Sequence, residues 1–269
     1  MTKTILITGA TDGIGFETAK TLISRGHRVL LHGRSEKKLD QAALALTGNG
    51  NRDQTESYIA DLSSLTDVDR MTQEIAARHA TLDVVINNAG VFVLPQPHTP
   101  SGHDLRFIVN TLAPLRLTTA LLPLMNSSGR VINLSSAAQA AVDLDAVQGR
   151  KQLDDSAAYA QSKLALTMWT LQLAHTLSGD VPTFIAVNPG SFLASKMVKE
   201  AYGRAGKSLA IGADILSRAA LSDEFAGASG RYYDNDSERF ADPHPDALNP
   251  AKRTALMPAL EALAAVLNH

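Results

Sequence analysis

Tyr159 and Lys163 stand four residues apart in Tyr159-Ala160-Gln161-Ser162-Lys163, a spacing that puts both side chains on one face of a helix. An unperturbed phenol, with a pKa of about 10, is a poor base at neutral pH. A lysine ammonium beside it favours the phenolate and makes the pair a candidate general acid and base. On its own the pair is a weak signal, because many surface helices carry one. It gains weight from Ser135-Ser136, which ends the apolar, β-branched run Val131–Leu134 and brings two hydroxyls upstream of the same helix.

A second cluster has the composition of a phosphate cradle. Directly after the first apolar run, Thr8-Gly9-Ala10-Thr11-Asp12-Gly13-Ile14-Gly15 opens an amphipathic stretch. Glycines there permit a tight turn and close approach of the backbone to a pyrophosphate, and the helix N-terminus offers free N–H groups and a positive dipole end. A dinucleotide fits, although a tight turn also uses glycine for its own sake. The second run ends in Leu31-His32-Gly33-Arg34-Ser35, with no carboxylate to meet a ribose 2′-hydroxyl. Gly33 leaves room for a 2′-phosphate, and Arg34 offers a fork of donors to grip it, with Lys37 and Lys38 close by. NADP(H) is therefore expected over NAD(H); the alternative is that Arg34 is a solvated residue at a strand end.

These residues have to be held by a scaffold, and the pattern names one. Short β-branched runs alternate with amphipathic stretches along the chain, as in a parallel sheet covered on both faces. The expected strands are 4–8, 28–31, 57–59, 84–87, 131–134, 183–187 and 230–233. The expected helices are 15–25, 36–46, 65–79, 104–125, 156–177, 208–221 and 250–267. With no repeat and no Gly/Ser-rich linker, the expectation is a single α/β domain over 1–269, a doubly wound parallel sheet of about seven strands flanked by helices. Substrate-side loops are expected near 137–155 and 191–212, with a C-terminal extension near 234–269. Ala137–Asp155 and the Pro-punctuated Asp234–Pro250 fit neither strand nor helix, and loops of that length are usually functional or disordered.

Composition excludes several classes. The 269 residues carry 25 basic and 27 acidic side chains, a net charge of −2, with no basic run to track a nucleic-acid backbone. No cysteine is present, so neither disulfides nor thiolate metal sites arise, and a cytoplasmic location is expected. The eight histidines are scattered without metal-ligand spacing. The N-terminal apolar stretch is too short for a signal peptide, and Arg116 interrupts the apolar run 112–125, so no membrane span is expected.

Taken in order, Thr8-Gly9-x3-Gly13-x-Gly15, Asp61-Leu62, Asn87-Asn88-Ala89-Gly90, Asn110, Ser135-Ser136, Tyr159-x3-Lys163 and Pro189-Gly190 resemble the short-chain dehydrogenase/reductase family, colinearly over residues 4–200. The resemblance implies a Rossmann-type sandwich and hydride transfer between a nicotinamide cofactor and a carbonyl or alcohol. It implies that Gly9, Thr11, Asp12, Gly13, Ile14 and Gly15 cradle the cofactor phosphates, that Arg34, Asp61 and Leu62 meet its adenosine end, and that Asn88, Ala89 and Gly90 lie along its ribose. Tyr159, Lys163, Pro189, Gly190 and Ser195 would meet the nicotinamide half. Asn110, Ser136, Tyr159 and Lys163 would form the catalytic group, with Tyr159 as acid and base, Ser136 orienting the substrate oxygen, and Asn110 holding a water that links Lys163 to solvent. Ser135 is the alternative orienter, helix capping the alternative for Asp61, and a helix kink the alternative for Asn110. Ser195 stands where the family commonly has threonine.

Tyr159 follows Ser136 by 23 positions, longer than the family's commonest spacing and similar to its retinol-dehydrogenase-like branch. The extra residues are expected to form a lobe beside the site. Ala137, Ala138, Ala140, Ala141 and Val142, with Phe92, Val93 and Leu94, would wall an apolar pocket for a small lipophilic carbonyl or alcohol, or would simply pack in the core. The family also implies a homodimer or homotetramer. Rival expectations are an NAD(H)-dependent alcohol dehydrogenase of the same family and a catalytically silent dinucleotide sensor, whose mark would be a broken Ser, Tyr or Lys.

Overall fold

Successive residues of a strand point to opposite faces, and in the central strands both faces are apolar. Leu6, Leu30, Val85, Val131 and Phe184 belong to one core; Ile5, Ile7, Val29, Leu31, Ile86, Ile132 and Ile185 belong to the other. Such strands are stable only when covered on both sides. The computed structural model describes residues 1–48, 52–194, 203 and 206–267, and in it β1 (Thr4–Ile7), β2 (Arg28–Gly33), β3 (Thr55–Ile59), β4 (Val84–Asn87), β5 (Arg130–Leu134), β6 (Thr183–Asn188), β7 (Arg231–Asp234) and β8 (Arg239–Ala241) form one sheet. Its order is β3-β2-β1-β4-β5-β6-β7-β8. All pairings are parallel except β7 with β8.

Three helices cover one face. α1 (Gly13–Ser24), α2 (Glu36–Thr47) and α7 (Leu209–Leu221) bring Leu22, Leu39, Ile215 and Leu216 to it. α3 (Leu65–Arg78), α4 (Leu105–Leu124) and α6 (Asp155–Thr176) cover the other with Met71, Ile75, Leu117, Leu164 and Trp169. Between α4 and α6, α5 (Leu144–Val147) packs on α9 (Pro250–Leu267), which α8 (Pro245–Leu248) precedes. The single α/β domain is the one the alternating pattern implies.

The differences lie at the C-terminal edge and in the long loops. The sheet has eight strands rather than about seven. The segment Asp234–Pro250 holds β8 and α8, and Ala137–Asp155 holds α5. β8 is only three residues long and its hairpin turn contains no glycine: Glu238 takes φ of +54° instead. Neither a period nor a turn signal was there to be read.

α4 also differs from expectation. Among the described residues, Leu105–Leu124 is long and apolar enough to cross a bilayer despite Arg116, with 67% of its apolar window buried inside the fold. Its apolarity is that of a core helix, and the Arg116 guanidinium reaches out to the Asp69 carboxylate at 2.7 and 2.8 Å.

Sheet order reverses at β1, whose neighbours are β2 and β4. Connections from these strands leave in opposite directions, which opens a crevice beyond their carboxyl ends.

Candidate active site

A cleft of about 430 Å³ occupies that crevice. Arg34, Lys38, Asp61 and Leu62 border one end, the turn from Gly9 to Ile14 crosses the middle, and Asn88, Ala89, Gly90, Tyr159, Lys163 and Pro189 border the other. Of the expected residues, Gly15, Asn110, Ser136 and Gly190 lie behind this lining, and Ser195 lies outside the described residues.

The glycine turn is built for close packing. A Cβ on Gly15 would collide with the Gly9 carbonyl oxygen and come within 2.5 Å of the Asn88 carboxamide nitrogen. That nitrogen donates to the carbonyls of Thr8 (2.8 Å) and Gly9 (3.1 Å), so Asn88 ties β4 to the turn from behind. Asp12 caps α1 by accepting from Gly13 N–H at 2.7 Å.

His32 is a residue that sequence reasoning passed over. It is buried, its Nδ1 accepts from Gly9 N–H (3.1 Å), and its Nε2 faces the Ala60 carbonyl (3.0 Å). The first contact fixes the tautomer with the proton on Nε2. Burial, partly opposed by the Ala60 hydrogen bond, lowers its pKa to about 4, so a neutral ring clamps the turn to β2 and β3. The signal available was a polar side chain in the apolar run that ends at Gly33.

At the basic end, Arg34 is exposed and makes no ion pair among the described residues. Asp61 accepts from the Ser63 N–H (2.9 Å) and hydroxyl (2.7 Å), which fixes the turn before α3; the carboxylate that caps α3 is instead supported by Ser64, whose hydroxyl accepts from Asp67 N–H. Lys38 borders the cleft and Lys37 does not.

At the other end, Tyr159 and Lys163 share a face of α6, with Lys163 Nζ 5.7 Å from the Tyr159 ring centroid. Lys163 is fully enclosed and donates to the Leu134 carbonyl at 2.8 Å. The Phe92 ring lies against Tyr159, centroids 4.6 Å apart. Asn110 sits in a π-helical turn, Ile108–Leu112, within α4. Its carboxamide pairs with both backbone groups of Val91 (2.8 and 2.9 Å) and donates to the Ser162 hydroxyl (3.0 Å). Such turns recur at functional sites. Gly90 is needed here, since a Cβ would stand 3.2 Å from Asn110 Oδ1 and 3.3 Å from Lys163 Nζ.

The two serines are held differently. Ser135 is buried and its hydroxyl is paired with Thr167 Oγ1 at 2.7 Å. Ser136 is half-buried and its Oγ accepts from Ala138 N–H at 3.1 Å, which leaves its hydroxyl proton able to donate. Its carbonyl receives Tyr232 Oη–H (3.1 Å) and Gln139 Nε2–H (2.9 Å).

The apolar wall is only partly the expected one. Val91, Leu94, Leu105 and Val109 border the cleft. Ala137, Ala138, Ala141 and Val93 are exposed, Val142 packs on the main core, and Phe92 backs Tyr159. Helix α4, entering the crevice beside β4, supplies the apolar surface that the 137–142 segment does not.

Burial of the Lys163 ammonium lowers its pKa from 10.5 to about 8. Between those values the unfolded chain still holds a proton that the folded protein has released, so this group makes stability rise with pH across that window. Lys163→Met is therefore expected to unfold at higher urea concentration than the parent at pH 7, with the gap closing as pH climbs above 8. Urea melts at pH 7 and 9.5 check this; a variant less stable at both would refute it.

Residues 3–205 match the family model of the short chain dehydrogenases. The chain is 31% identical to mouse retinol dehydrogenase 13 over 270 residues, covering 93% of this chain and 81% of that protein. It is 33% identical to human polyprenol dehydrogenase over 256 residues, covering 88% and 78%. Among solved structures, a short chain dehydrogenase from Escherichia coli CFT073 complexed with NADPH superposes with a TM-score of 0.70 at 30% identity, covering 87% of this chain and 96% of that one.

Proposed function

The chain belongs to the short chain dehydrogenase family, in its retinol-dehydrogenase-like branch, and on that premise we propose that it moves hydride between NADP(H) and a small lipophilic carbonyl or alcohol. The observation that carries the proposal is the polarity of one continuous cleft. It has an arginine and a lysine with no carboxylate at the β2 end, a glycine turn at a helix N-terminus in its middle, and a tyrosine with an enclosed lysine at its far end. The NADPH held by the Escherichia coli relative supports the cofactor class.

When bound, the cofactor supplies or accepts the hydride. The protein handles the proton and the positioning. In reduction, Tyr159 Oη gives its proton to the carbonyl oxygen as negative charge develops there. The Lys163 ammonium, with a pKa of about 8, is mostly charged at neutral pH and lowers the cost of the phenolate that remains. Ser136 donates its hydroxyl proton to the same carbonyl oxygen and fixes its direction. Asn110 braces the chain at Val91 and the helix at Ser162, which holds the lysine's surroundings in place. Val91, Leu94, Leu105 and Val109 favour an apolar substrate body, in keeping with the retinol and polyprenol named for the relatives.

The test is a titration with NADPH and NADH, followed by turnover of a panel of lipophilic aldehydes and ketones. Tight NADPH binding with turnover is the expected result, and failure to bind either cofactor overturns the reading. Tight NADPH binding with no turnover across the panel would favour the sensor. Arg34→Ala should weaken NADPH binding roughly tenfold or more, the scale of charge-assisted hydrogen bonds, and leave NADH unchanged. Equal NADPH affinity in variant and parent would sink the assignment of Arg34.

A further inference from the structure

The turn that follows β6 is fastened from outside by the β7–β8 hairpin. Asn188, the last residue of β6, accepts from Gly190 N–H at 3.2 Å and donates through Nδ2 to Asp234 (2.7 Å) and Asp236 (3.0 Å). Asn235 Nδ2 donates to the Pro189 carbonyl at 3.0 Å, and its N–H donates to the Asn188 carbonyl at 3.1 Å. Asp236 receives the Ser191 N–H at 2.9 Å and the Ser191 hydroxyl at 2.5 Å. Three consecutive residues after β6 are thus held by three consecutive residues after β7.

What comes next explains why such fastening is needed. Phe192 takes φ of +56°, an unfavourable conformation for an aromatic residue unless its flanks impose it. On one flank stands Ser191, bound to Asp236. On the other, Lys207 N–H donates to the Phe192 carbonyl (2.7 Å), Ala194 N–H donates to the Lys207 carbonyl (2.7 Å), and the Lys207 ammonium lies 3.8 Å from Asp236. Asp236 is the one side chain that touches both flanks. Burial opposes its ionisation, yet the Ser191 N–H and hydroxyl, Asn188 and Lys207 outweigh burial and hold its carboxyl below the ordinary range.

We propose that Asp236 is a positioning residue for the nicotinamide end of the cleft: through Ser191, and together with Asn188 and Asn235, it sets the Pro189–Gly190 turn that closes the cleft opposite Tyr159 and Lys163. The inference rests on the NADP(H) reading above. Asp236 touches neither cofactor nor substrate; it works through the backbone of Ser191. Its influence is therefore confined to one half of the dinucleotide, since the Arg34 end is carried by β2 on the far side of the crevice.

That confinement gives the test. Calorimetric titrations of Asp236→Ala and Asp236→Asn with NADPH and with 2′,5′-ADP, which carries only the adenosine half, separate the two ends. Asp236→Ala should bind NADPH about tenfold more weakly, the loss of one or two hydrogen bonds to a charged group, and bind 2′,5′-ADP like the parent. Asp236→Asn keeps an oxygen for Ser191 N–H and should recover most of the NADPH affinity. Unchanged NADPH binding in Asp236→Ala, or equal loss for both ligands, overturns the proposal. A parent protein that binds neither ligand overturns the NADP(H) reading itself, and this inference with it.

Discussion

Replacing Tyr159 by phenylalanine is expected to lower kcat by about 10²- to 10⁴-fold, the usual worth of a positioned general acid, while NADPH binding stays at the parent level. The substitution removes one oxygen and leaves the ring, so the contact with Phe92 at 4.6 Å between centroids survives. The Lys163 hydrogen bond to Leu134 does not involve the phenol and survives too. What disappears is the only group at that end of the cleft that couples a titratable proton to an adjacent buried ammonium. Because the lost interaction is made with the reacting oxygen in the transition state, kcat should fall with little change in KM. Stopped-flow measurement of NADPH oxidation with an aldehyde that the parent reduces reads this directly. A kcat within a few-fold of the parent's would remove Tyr159 from the chemistry and leave Ser136 as the remaining candidate donor.

How far the sequence led differs between parts of the protein, and the reasons are physical. β1 to β6 could be read because each is buried on both faces and reads as a continuous apolar run. β8 could not, because a three-residue edge strand has no period and its turn uses Glu238 in place of glycine. The residues lining the cleft are legible where type alone is diagnostic, as with the glycine turn, Arg34, Tyr159 and Lys163. Those that hold the lining from behind are not. His32 clamping Gly9, and Asp236 fastening Ser191, are single polar residues whose partners lie in other elements, and only strand order brings them together. The apolar wall was misplaced for the same reason: which of several apolar segments faces the crevice is decided by the crossing of α4, not by local pattern.

Arg106 belongs to this second kind, and its removal is expected to cost the largest stability of any single change considered, about 3–5 kcal/mol, as for breaking a buried ion pair. Its guanidinium is buried and forms a two-pronged pair with Asp104, through Nε at 2.8 Å and Nη2 at 2.6 Å. Nη1 donates to the Phe92 carbonyl at 3.3 Å and also binds the Asp155 carboxylate at the start of α6. One side chain therefore joins the start of α4, the chain beyond Gly90 and the first turn of the helix carrying Tyr159. Burial alone would lower its pKa, and the hydrogen bonds and charges of Asp104 and Asp155 more than reverse that. Arg106→Leu leaves Asp104 buried with its carboxylate deprived of its main partner, which is why the cost exceeds that of an exposed pair. Adding Asp104→Asn to that variant removes the stranded charge and should restore part of the stability, whereas Asp104→Asn in the parent should destabilise. Urea unfolding of the parent, the two single variants and the double variant completes the cycle. If Arg106→Leu unfolds at the parent's urea midpoint, the cluster contributes nothing net, and the placement of Phe92 against Tyr159 must come from apolar packing alone.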